Sequence, residues 1–262
     1  MPDGTAAGPW YRATGTELEA VRAACNVGMP VLLKGPTGCG KSRLVEAIAH
    51  ERGRPLITVA CNDETSATDL LGRYLLKGGE TVWQDGPVTR AVLSGAVLYL
   101  DEIAEAREDV LVVLHPLADH RRELWVDRMS QPLTVAPGFQ LIASFNPGYR
   151  RGAKDLKPST RQRFVSVSMN YPVPDIEAEI VGRESGSDSA LARRLVSFAN
   201  KVRHLDQLSL AETVSTRLLI AAGRLIKAGL EPRLAAHTAV VEALSDDPDV
   251  LVPLRDLANL SF

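Results

Sequence analysis

A glycine-rich stretch early in the chain ends in a lysine and a serine. It runs from Gly35 to Ser42 as GPTGCGKS, which has the spacing G-x-x-x-x-G-K-[ST]. In such a phosphate loop, backbone amides surround phosphate oxygens at a helix N-terminus, the lysine reaches the β and γ phosphates, and the hydroxyl binds Mg²⁺. The predicted nucleotide-binding residues are Gly35, Pro36, Thr37, Gly38, Cys39, Gly40, Lys41, Ser42 and Arg43, and Ser42 is also a predicted metal ligand.

Two carboxylates follow an apolar run further along the chain. The run from Val97 to Leu100 ends in Asp101 and Glu102, so both carboxylates fall at the carboxyl end of a buried strand, where ligands bind in parallel sheets. We expect Asp101 to hold Mg²⁺ and Glu102 to orient and deprotonate an attacking water. Such a pair can also cap a helix, but beside a phosphate loop it favours nucleotide hydrolysis.

Four more polar side chains are candidates for catalysis. Asn146 ends the next apolar strand and could sense the γ-phosphate, although an asparagine before Pro-Gly also forms ordinary turns. Arg161 and Arg163 precede the last predicted strand; they fit either arginine fingers supplied to a neighbouring subunit or surface salt bridges. Arg217 follows a possible N-cap at Ser215, and it either reaches the nucleotide or lies on a solvated helix surface.

Short β-prone runs alternate with helical patterns through the first two thirds of the chain, which is typical of a parallel sheet buried on both faces. The runs are Val31 to Leu33, Leu56 to Val59, Val97 to Leu100, Leu141 to Phe145 and Phe164 to Val167. Residues 74–84, centred on Gly78-Gly79, and residues 123–135 are interpreted as inserted β-hairpins. The predicted fold is α/β, a phosphate-loop core with a parallel five-stranded sheet and inserted hairpins.

The pattern changes after Pro172 and Pro174, where apolar residues recur at helical spacing. Because these prolines disfavour helix on either side, we place a domain boundary there. Residues 1–172 are the predicted nucleotide-binding domain, and residues 173–262 are a predicted small all-α lid. Inside the lid, residues 182–189, GRESGSDS, are predicted to form an exposed loop.

Composition disfavours several classes of protein. The net charge of -2 and the pI of about 6.2 give no basic surface for nucleic acid. No apolar run approaches the roughly 18 residues of a membrane span, and the first residues lack a signal-peptide pattern, so we expect a cytoplasmic protein without membrane contact. Three cysteines without CxxC spacing favour free thiols, and the five histidines show no metal-ligand spacing.

Taken together, the phosphate loop, the acidic pair, the strand-end asparagine, the paired arginines and the arginine-bearing helical lid resemble the AAA+ ATPases. The two hairpins resemble the MoxR clade. The stretches Lys77 to Leu93, Leu117 to Glu123, Asn146 to Arg150 and Lys154 to Val165 are similar to the CbbQ/NorQ subfamily. The resemblance covers nearly the whole chain. It implies ATP and Mg²⁺ as cofactors, a homo-hexameric ring, and a partner protein that carries a von Willebrand A domain.

The resemblance also implies roles for individual residues. It assigns Lys41, Ser42, Asp101, Glu102 and Asn146 to the subunit's own site, and Arg161 and Arg163 to the neighbour's. The lid is displaced in this clade, so Arg217 acts either within the subunit or across the interface. Residues 62–72 lack the aromatic-apolar-glycine pore loop of processive unfoldases, and we therefore expect limited pulling, or force passed through the partner, rather than threading.

The leading hypothesis is an ATP-hydrolysing motor that works with a CbbO-like adaptor, remodels inhibited Rubisco and releases tight-binding sugar phosphates. The alternative within the subfamily is a NorQ-like ATPase that activates nitric oxide reductase together with NorD. Outside the subfamily, a nucleotide-switch scaffold, a small kinase and a DNA-acting AAA+ subunit are the other hypotheses. Glu102 and the paired arginines favour turnover over a switch, no feature specifies a kinase acceptor site, and the charge balance disfavours DNA.

Overall fold

The computed structural model describes residues 8–126, 132–147, 156–205 and 213–262. These residues divide into two compact units. The sheet unit contains residues 8–35, 40–126, 132–147 and 156–169, and the helical unit contains residues 36–39, 170–205 and 213–262. Four residues of the phosphate loop, Pro36–Cys39, are thus grouped with the helical unit.

Nine strands lie in the sheet unit. They are β1 (Val31–Lys34), β2 (Leu56–Ala60), β3 (Gly72–Lys77), β4 (Glu80–Asp85), β5 (Val97–Asp101), β6 (Glu123–Leu124), β7 (Leu133–Thr134), β8 (Gln140–Phe145) and β9 (Val165–Ser168). Five of them form one parallel sheet in the order β2-β5-β8-β1-β9. The predicted five-stranded parallel sheet is confirmed. Every residue of β8 is buried, as expected for a central strand covered on both faces.

The order of the strands determines which side chains can meet. Strand β8 pairs with β5 on one side, where Leu100 is opposite Ala143, and with β1 on the other, where Lys34 is opposite Phe145. All three strands run in the same direction, so their carboxyl ends form one edge of the sheet. This edge carries the start of the phosphate loop, the acidic pair and Asn146.

Six α-helices belong to the described residues of the sheet unit. They are α1 (Glu17–Asn26), α2 (Lys41–Glu51), α3 (Ala67–Leu71), α4 (Pro87–Ser94), α5 (Glu108–Ala118) and α6 (Pro158–Arg161). Helix α2 follows the phosphate loop directly, with Leu44, Val45 and Ile48 buried on its inner face. The apolar spacing of a short amphipathic helix therefore sets the position of Lys41, its first residue.

Both inserted hairpins are present. Strands β3 and β4 pair antiparallel, and the turn between them uses Gly78 and Gly79 at φ of 59° and 87°, a conformation that favours glycine. The rings of Tyr74 and Trp83 pack edge to face across this hairpin, with centroids 5.0 Å apart. Strands β6 and β7 form the second hairpin, whose intervening residues 127–131 lie outside the described residues.

The helical unit packs its helices around a single apolar core. They are α7 (Pro174–Ser185), α8 (Ser189–Arg203), α9 (Thr216–Lys227), α10 (Pro232–Ala236), a π-helical turn (His237–Val241) and α11 (Pro248–Ser261). Within the described ranges, none of the helices has both the length and the apolar character needed to cross a membrane.

The predicted exposed loop over residues 182–189 is confirmed only at residues 186–188 and is wrong for residues 182–185 and 189, which are helical. Helix α7 continues through Ser185, which is buried and donates its hydroxyl to the Val181 carbonyl oxygen at 2.6 Å. Gly186 then ends the helix at a φ of 68°. The glycine and serine content suggested a loop, but packing of Ser185 inside the helical unit outweighed local propensity.

Candidate active site

The phosphate loop leaves β1 and leads into α2. The Gly35 amide donates to the Phe145 carbonyl oxygen at 3.4 Å, so the loop begins bonded to the end of β8. Gly38 and Gly40 have φ of 71° and 105°, a region that other residues rarely adopt. The first intrahelical bond of α2 runs from the Leu44 amide to the Gly40 carbonyl oxygen at 2.9 Å. The phosphate loop thus leads straight into the N-terminus of α2, the end of a helix at which anions bind in phosphate loops.

Lys41 connects the phosphate loop to the neighbouring strand end. Its side chain is buried, and its ammonium group donates to the Gly35 carbonyl oxygen at 2.8 Å and to Asn146 Oδ1 at 2.7 Å. The structure thus brings the predicted phosphate-binding lysine and the predicted sensor into direct contact. Both of these acceptors are neutral oxygens, which phosphate oxygens can replace with a gain in charge-assisted bonding.

The acidic pair lies at the end of β5. Asp101 is the last residue of the strand, and Glu102 has φ of 55° and ψ of 45°. Left-handed backbone in a non-glycine residue is uncommon and costs conformational energy, which is typical of functional sites. The Glu102 side chain is exposed, and its backbone amide donates to Ser144 Oγ at 3.2 Å.

Two residues that sequence reasoning missed hold the Asp101 carboxylate. Its Oδ1 accepts the Tyr99 hydroxyl at 2.7 Å and the Ser144 hydroxyl at 2.5 Å. Tyr99 also lies 3.3 Å from Ser42 Oγ, joining the two predicted Mg²⁺ ligands. Burial raises the pKa of Tyr99 well above its usual value, so the phenol stays protonated and able to donate. The available sequence signal was a polar atom in each of two otherwise apolar strands, because buried polar groups require partners.

The cysteines are buried free thiols. Burial, followed by the nearby negative charges of Asp101 and Glu102, raises the pKa of Cys61 to about 12. Burial raises the pKa of Cys25 to about 11. Since thiolates are the nucleophilic form, neither thiol competes with a water molecule as nucleophile at neutral pH. Cys39, inside the phosphate loop, is also buried.

The paired arginines occupy the turn at α6. The guanidinium of Arg161 lies over the Phe145 ring, 5.4 Å from its centroid, and Arg163 donates to the Ser159 carbonyl oxygen. Phe145 is the last residue of β8 and directly precedes Asn146, so the arginine-bearing turn contacts the end of the strand that leads to the predicted sensor. The assignment of Arg161 and Arg163 to a neighbouring subunit's site stays a prediction.

Helix α5, which follows the acidic pair, also holds this turn. His115 Nε2 lies 3.2 Å from Oγ1 of the buried Thr160, and Lys157 bonds Glu108 at 2.9 Å. Burial, together with the positive charge of Arg163, lowers the pKa of His115 below its usual value. A neutral histidine therefore links α5 to α6 near pH 7.

Arg217 is exposed on the first turn of α9. Ser215 occupies the N-cap position but makes no capping hydrogen bond through its side chain. Within the helical unit, a Cβ placed on Gly38 would lie 2.7 Å from Ser215 Cβ and 3.4 Å from Arg217 Cβ. In the same unit, the Tyr171 hydroxyl donates to the Thr37 carbonyl oxygen at 3.1 Å. The Cβ of Arg217 therefore lies close to Gly38 of the phosphate loop.

The donor set fits Mg²⁺. Ser42 and Asp101 offer hydroxyl and carboxylate oxygens, the ligand type that Mg²⁺ prefers. Among the described residues, Asp101 Oδ2 takes part in no hydrogen bond, and no group of three or more His, Cys, Asp or Glu side chains could form a cage by itself. Because Mg²⁺ commonly binds through one or two protein ligands and the substrate's phosphates, this sparse set suits a metal that arrives with a nucleotide.

Comparison with known families agrees with this geometry. Residues 30–164 match the AAA domain (dynein-related subfamily), which supports ATPase activity. Residues 177–261 match the CbbQ/NirQ/NorQ C-terminal family. The two matches cover the phosphate loop, the acidic pair and the arginine turn, and most of the helical unit.

Individual proteins show the same relationship over the full chain. NorQ of Paracoccus denitrificans is 54% identical over 260 residues, which are 99% of this chain and 96% of that protein. CbbQ of Hydrogenophilus thermoluteolus is 50% identical over 254 residues, 97% of this chain and 95% of that protein. Among solved structures, a RuvB mutant from Thermotoga maritima matches with a TM-score of 0.52 and 19% identity, over 92% of this chain and 67% of that one. This last likeness concerns the fold alone.

Proposed function

The chain belongs to the CbbQ/NirQ/NorQ family of AAA+ ATPases, and we propose that it is the Mg-ATP-hydrolysing motor subunit of a homo-hexameric ring that remodels another protein. The observation that carries the proposal is the meeting of three strand ends. Lys41 contacts Asn146 at 2.7 Å, and the strand that bears Asn146 pairs directly with the strand that ends in Asp101. This arrangement supports the proposal that phosphate binding, metal binding and water activation lie side by side, as phosphoryl transfer requires.

Binding of the triphosphate uses the phosphate loop. Its amides at the start of α2 and the Lys41 ammonium bind phosphate oxygens, and Ser42 and Asp101 hold Mg²⁺. The metal, when bound with ATP, supplies positive charge that offsets the developing charge on the phosphates. Lys41 exchanges its bonds to Gly35 and Asn146 for bonds to the nucleotide, which frees the Asn146 amide for the γ-phosphate or the attacking water.

Hydrolysis then depends on Glu102 and on arginine. The exposed Glu102 carboxylate orients a water molecule and accepts its proton, while the bond from its backbone amide to Ser144 fixes where the residue leaves the strand. Arg161 and Arg163 reach the site of the adjacent subunit in the ring and stabilise the transition state there. Arg217 reads the nucleotide from the helical unit, in the same subunit or across the interface.

The proposed partner is an adaptor with a von Willebrand A domain, and the proposed target is inhibited Rubisco, freed of tight-binding sugar phosphates. A second target, nitric oxide reductase, is supported by the 54% identity to NorQ, against 50% to CbbQ. Identities this close favour neither branch. The proposed site of action is the cytoplasm, because the three cysteines are free thiols, which suits a reducing compartment.

The experiment that tests the proposal measures ATP turnover against protein concentration, alone and with a co-purified adaptor. Inhibited Rubisco is added in one arm and inactive nitric oxide reductase in the other, and recovery of each target's activity is read in the same tube. Glu102→Gln is the matched control, since it keeps the side chain's size but removes the base. ATP- and Glu102-dependent recovery of one target identifies the branch.

The other outcomes are also decisive. Turnover that rises with assembly but restores neither enzyme keeps the motor and rejects both targets. Tight nucleotide binding with almost no turnover at any concentration would overturn the motor and support a nucleotide-switch scaffold instead.

A further inference from the structure

Hydrogen-bond directions around Asp101 can be worked out from the number of protons that each group carries. The Tyr99 phenol has one proton and lies 2.7 Å from Asp101 Oδ1 but 3.1 Å from Ser144 Oγ. The shorter distance and the negative charge of the carboxylate favour donation to Asp101. The Ser144 hydroxyl, 2.5 Å away, gives its own proton to the same Oδ1. One carboxylate oxygen therefore receives two neutral donors.

Counting protons in the same way assigns a donor to the hydrogen bonds of Ser42 and of the Glu102 amide. Because the Tyr99 proton is committed, the 3.3 Å contact between Tyr99 and Ser42 has Ser42 as the donor. A Ser42 proton directed at the phenol leaves the lone pairs of Ser42 Oγ free for a cation. Ser144 Oγ, having donated to Asp101, accepts the Glu102 amide at 3.2 Å. Every proton in the network has one acceptor, and the network reaches both predicted metal ligands.

We propose that Tyr99 and Ser144 are positioning residues for the metal site, which they preorganise by fixing Asp101 through Oδ1 and by orienting the Ser42 hydroxyl. Two donors on Oδ1 fix the rotation of the carboxylate and leave Oδ2, which makes no hydrogen bond within the described residues, to face the incoming cation. The inference rests on the proposed Mg-ATP function and adds two residues to its site. Neither residue touches the nucleotide or the reacting atoms.

Preorganisation is effective here because both residues are buried. Tyr99 is 1% exposed and Ser144 is 0% exposed, so water cannot replace a lost bond cheaply. Both residues also lie on adjacent strands, β5 and β8, whose pairing in this region is continuous from Val97 to Leu100. Partners in the outer shell of a metal site commonly change metal affinity by about 10-fold to 100-fold when they are removed.

Ser144 has a second consequence for the site. It lies on β8, two residues before Asn146, which directly follows the strand, and it bonds both the Asp101 side chain and the Glu102 backbone at the end of β5. The strand that carries the predicted sensor is therefore bonded directly to the acidic pair. A shift of the end of β8, where Lys41 bonds Asn146, would be transmitted to the metal ligand and to the backbone of the base.

The test uses two variants of the intact protein, Tyr99→Phe and Ser144→Ala, each of which removes one hydroxyl and little volume. Binding of a fluorescent ADP analogue is measured over a range of Mg²⁺ concentrations and again in EDTA. We expect each variant to raise the Mg²⁺ concentration at half-maximal enhancement of binding by about tenfold or more. Binding in EDTA should stay at the wild-type level, which also shows that the variant is folded.

Thr89→Val is the matched control. Thr89 is buried in α4 and donates its hydroxyl to the Leu71 carbonyl oxygen at 2.6 Å. Its substitution removes one buried hydroxyl, as each of the two test variants does, but the hydroxyl of Thr89 is not part of the Asp101 network. The control should therefore keep the wild-type Mg²⁺ midpoint even if its melting temperature falls.

The outcomes separate this inference from the proposed function. Variants whose Mg²⁺ midpoint equals that of the wild type would overturn the inference alone, as would variants that weaken binding equally with Mg²⁺ and in EDTA. If the wild-type protein binds the ADP analogue equally well with Mg²⁺ and in EDTA, both the proposed function and the inference are overturned. If Tyr99→Phe fails to fold, Ser144→Ala decides the question by the same criteria.

Discussion

Two carboxylates, one in each unit, are held in different ways. Glu177 in α7 is fully buried and accepts two bonds from the Arg203 guanidinium, at 2.7 and 2.8 Å, and one from the Thr216 hydroxyl at 2.6 Å. Asp101 at the end of β5 is partly exposed, and within the described residues its side chain is bonded only by the neutral hydroxyls of Tyr99 and Ser144.

The difference lies in where the balancing charge comes from. Glu177 has its cation inside the fold, and Arg203 in turn donates to the Val214 carbonyl oxygen and lies 4.1 Å from the Tyr171 ring centroid. That cluster joins α7, α8 and the start of α9, so its role is structural. Asp101 is held in one orientation without being neutralised, which leaves its charge for a cation from outside. Removing a charged side chain at the strand ends of the sheet should therefore lower ATP turnover. Removing one from the Glu177 cluster should instead lower the stability of the helical unit.

Arg163→Ala should produce the largest effect, because an arginine finger contributes about 10³-fold to 10⁵-fold to turnover. We expect ATP turnover to fall by that order while nucleotide affinity and melting temperature stay near the wild-type values. Arg255→Ala, which removes an exposed arginine paired with Glu242, is the control and should leave turnover unchanged. Rings that mix Arg163→Ala with Glu102→Gln subunits check the trans assignment. If Arg163→Ala inactivates only its own subunit's site, the assignment to the neighbour is wrong.

Glu102→Gln should lower turnover by about 10²-fold to 10⁴-fold, because it removes the general base. The exposed side chain makes no contribution to the core, so the variant should bind ATP, assemble and melt like the wild type. Single-turnover hydrolysis and calorimetry measure both properties. A large drop in melting temperature would show that Glu102 stabilises the fold as Glu177 does. That result would contradict the distinction between the carboxylates at the strand ends and Glu177.

Glu177→Ala should instead act on stability. Removing one partner of a buried ion pair leaves the other charge uncompensated and costs about 3 to 5 kcal/mol. All three tryptophans, at positions 10, 83 and 125, lie in the sheet unit, so their fluorescence reports on that unit, while far-ultraviolet circular dichroism reports on the helices of both units. We expect part of the circular dichroism signal to be lost at a lower urea concentration than in the wild type, with the tryptophan transition much less affected.

Glu242→Ala is the matched control for this prediction. It breaks an ion pair of similar length, 2.8 Å to Arg255, whose side chains are 44% and 45% exposed. An exposed pair contributes about 0 to 1 kcal/mol. Equal destabilisation by Glu177→Ala and Glu242→Ala would remove the argument that burial makes the Glu177 cluster structural.

Local sequence patterns and contacts between distant residues differ in how well the sequence predicts them. The phosphate loop, the acidic pair and the five strands were predictable because their evidence is local: a spacing of glycines and a lysine, or an apolar run that ends in carboxylates. The clusters around Asp101 and Glu177 were not, because Ser144 lies 43 positions from Asp101 and Arg203 lies 26 positions from Glu177. No periodicity identifies which distant hydroxyl or arginine a carboxylate will meet. That pairing is decided by strand order and helix packing.

Thr216→Val should give the smallest effect, because it removes a single donor and leaves the Arg203 ion pair in place. A hydrogen bond to a charged group contributes about 1.5 to 3 kcal/mol, which is less than loss of the whole pair. Thr216→Ser keeps the hydroxyl and should recover most of the loss in the same urea titration. Since Thr216 precedes Arg217 at the start of α9, ATP affinity should be measured in both variants. A weaker affinity for ATP in Thr216→Val, restored in Thr216→Ser, would show that the buried Glu177 carboxylate also positions Arg217. Glu177 would then have a functional role as well as a structural one.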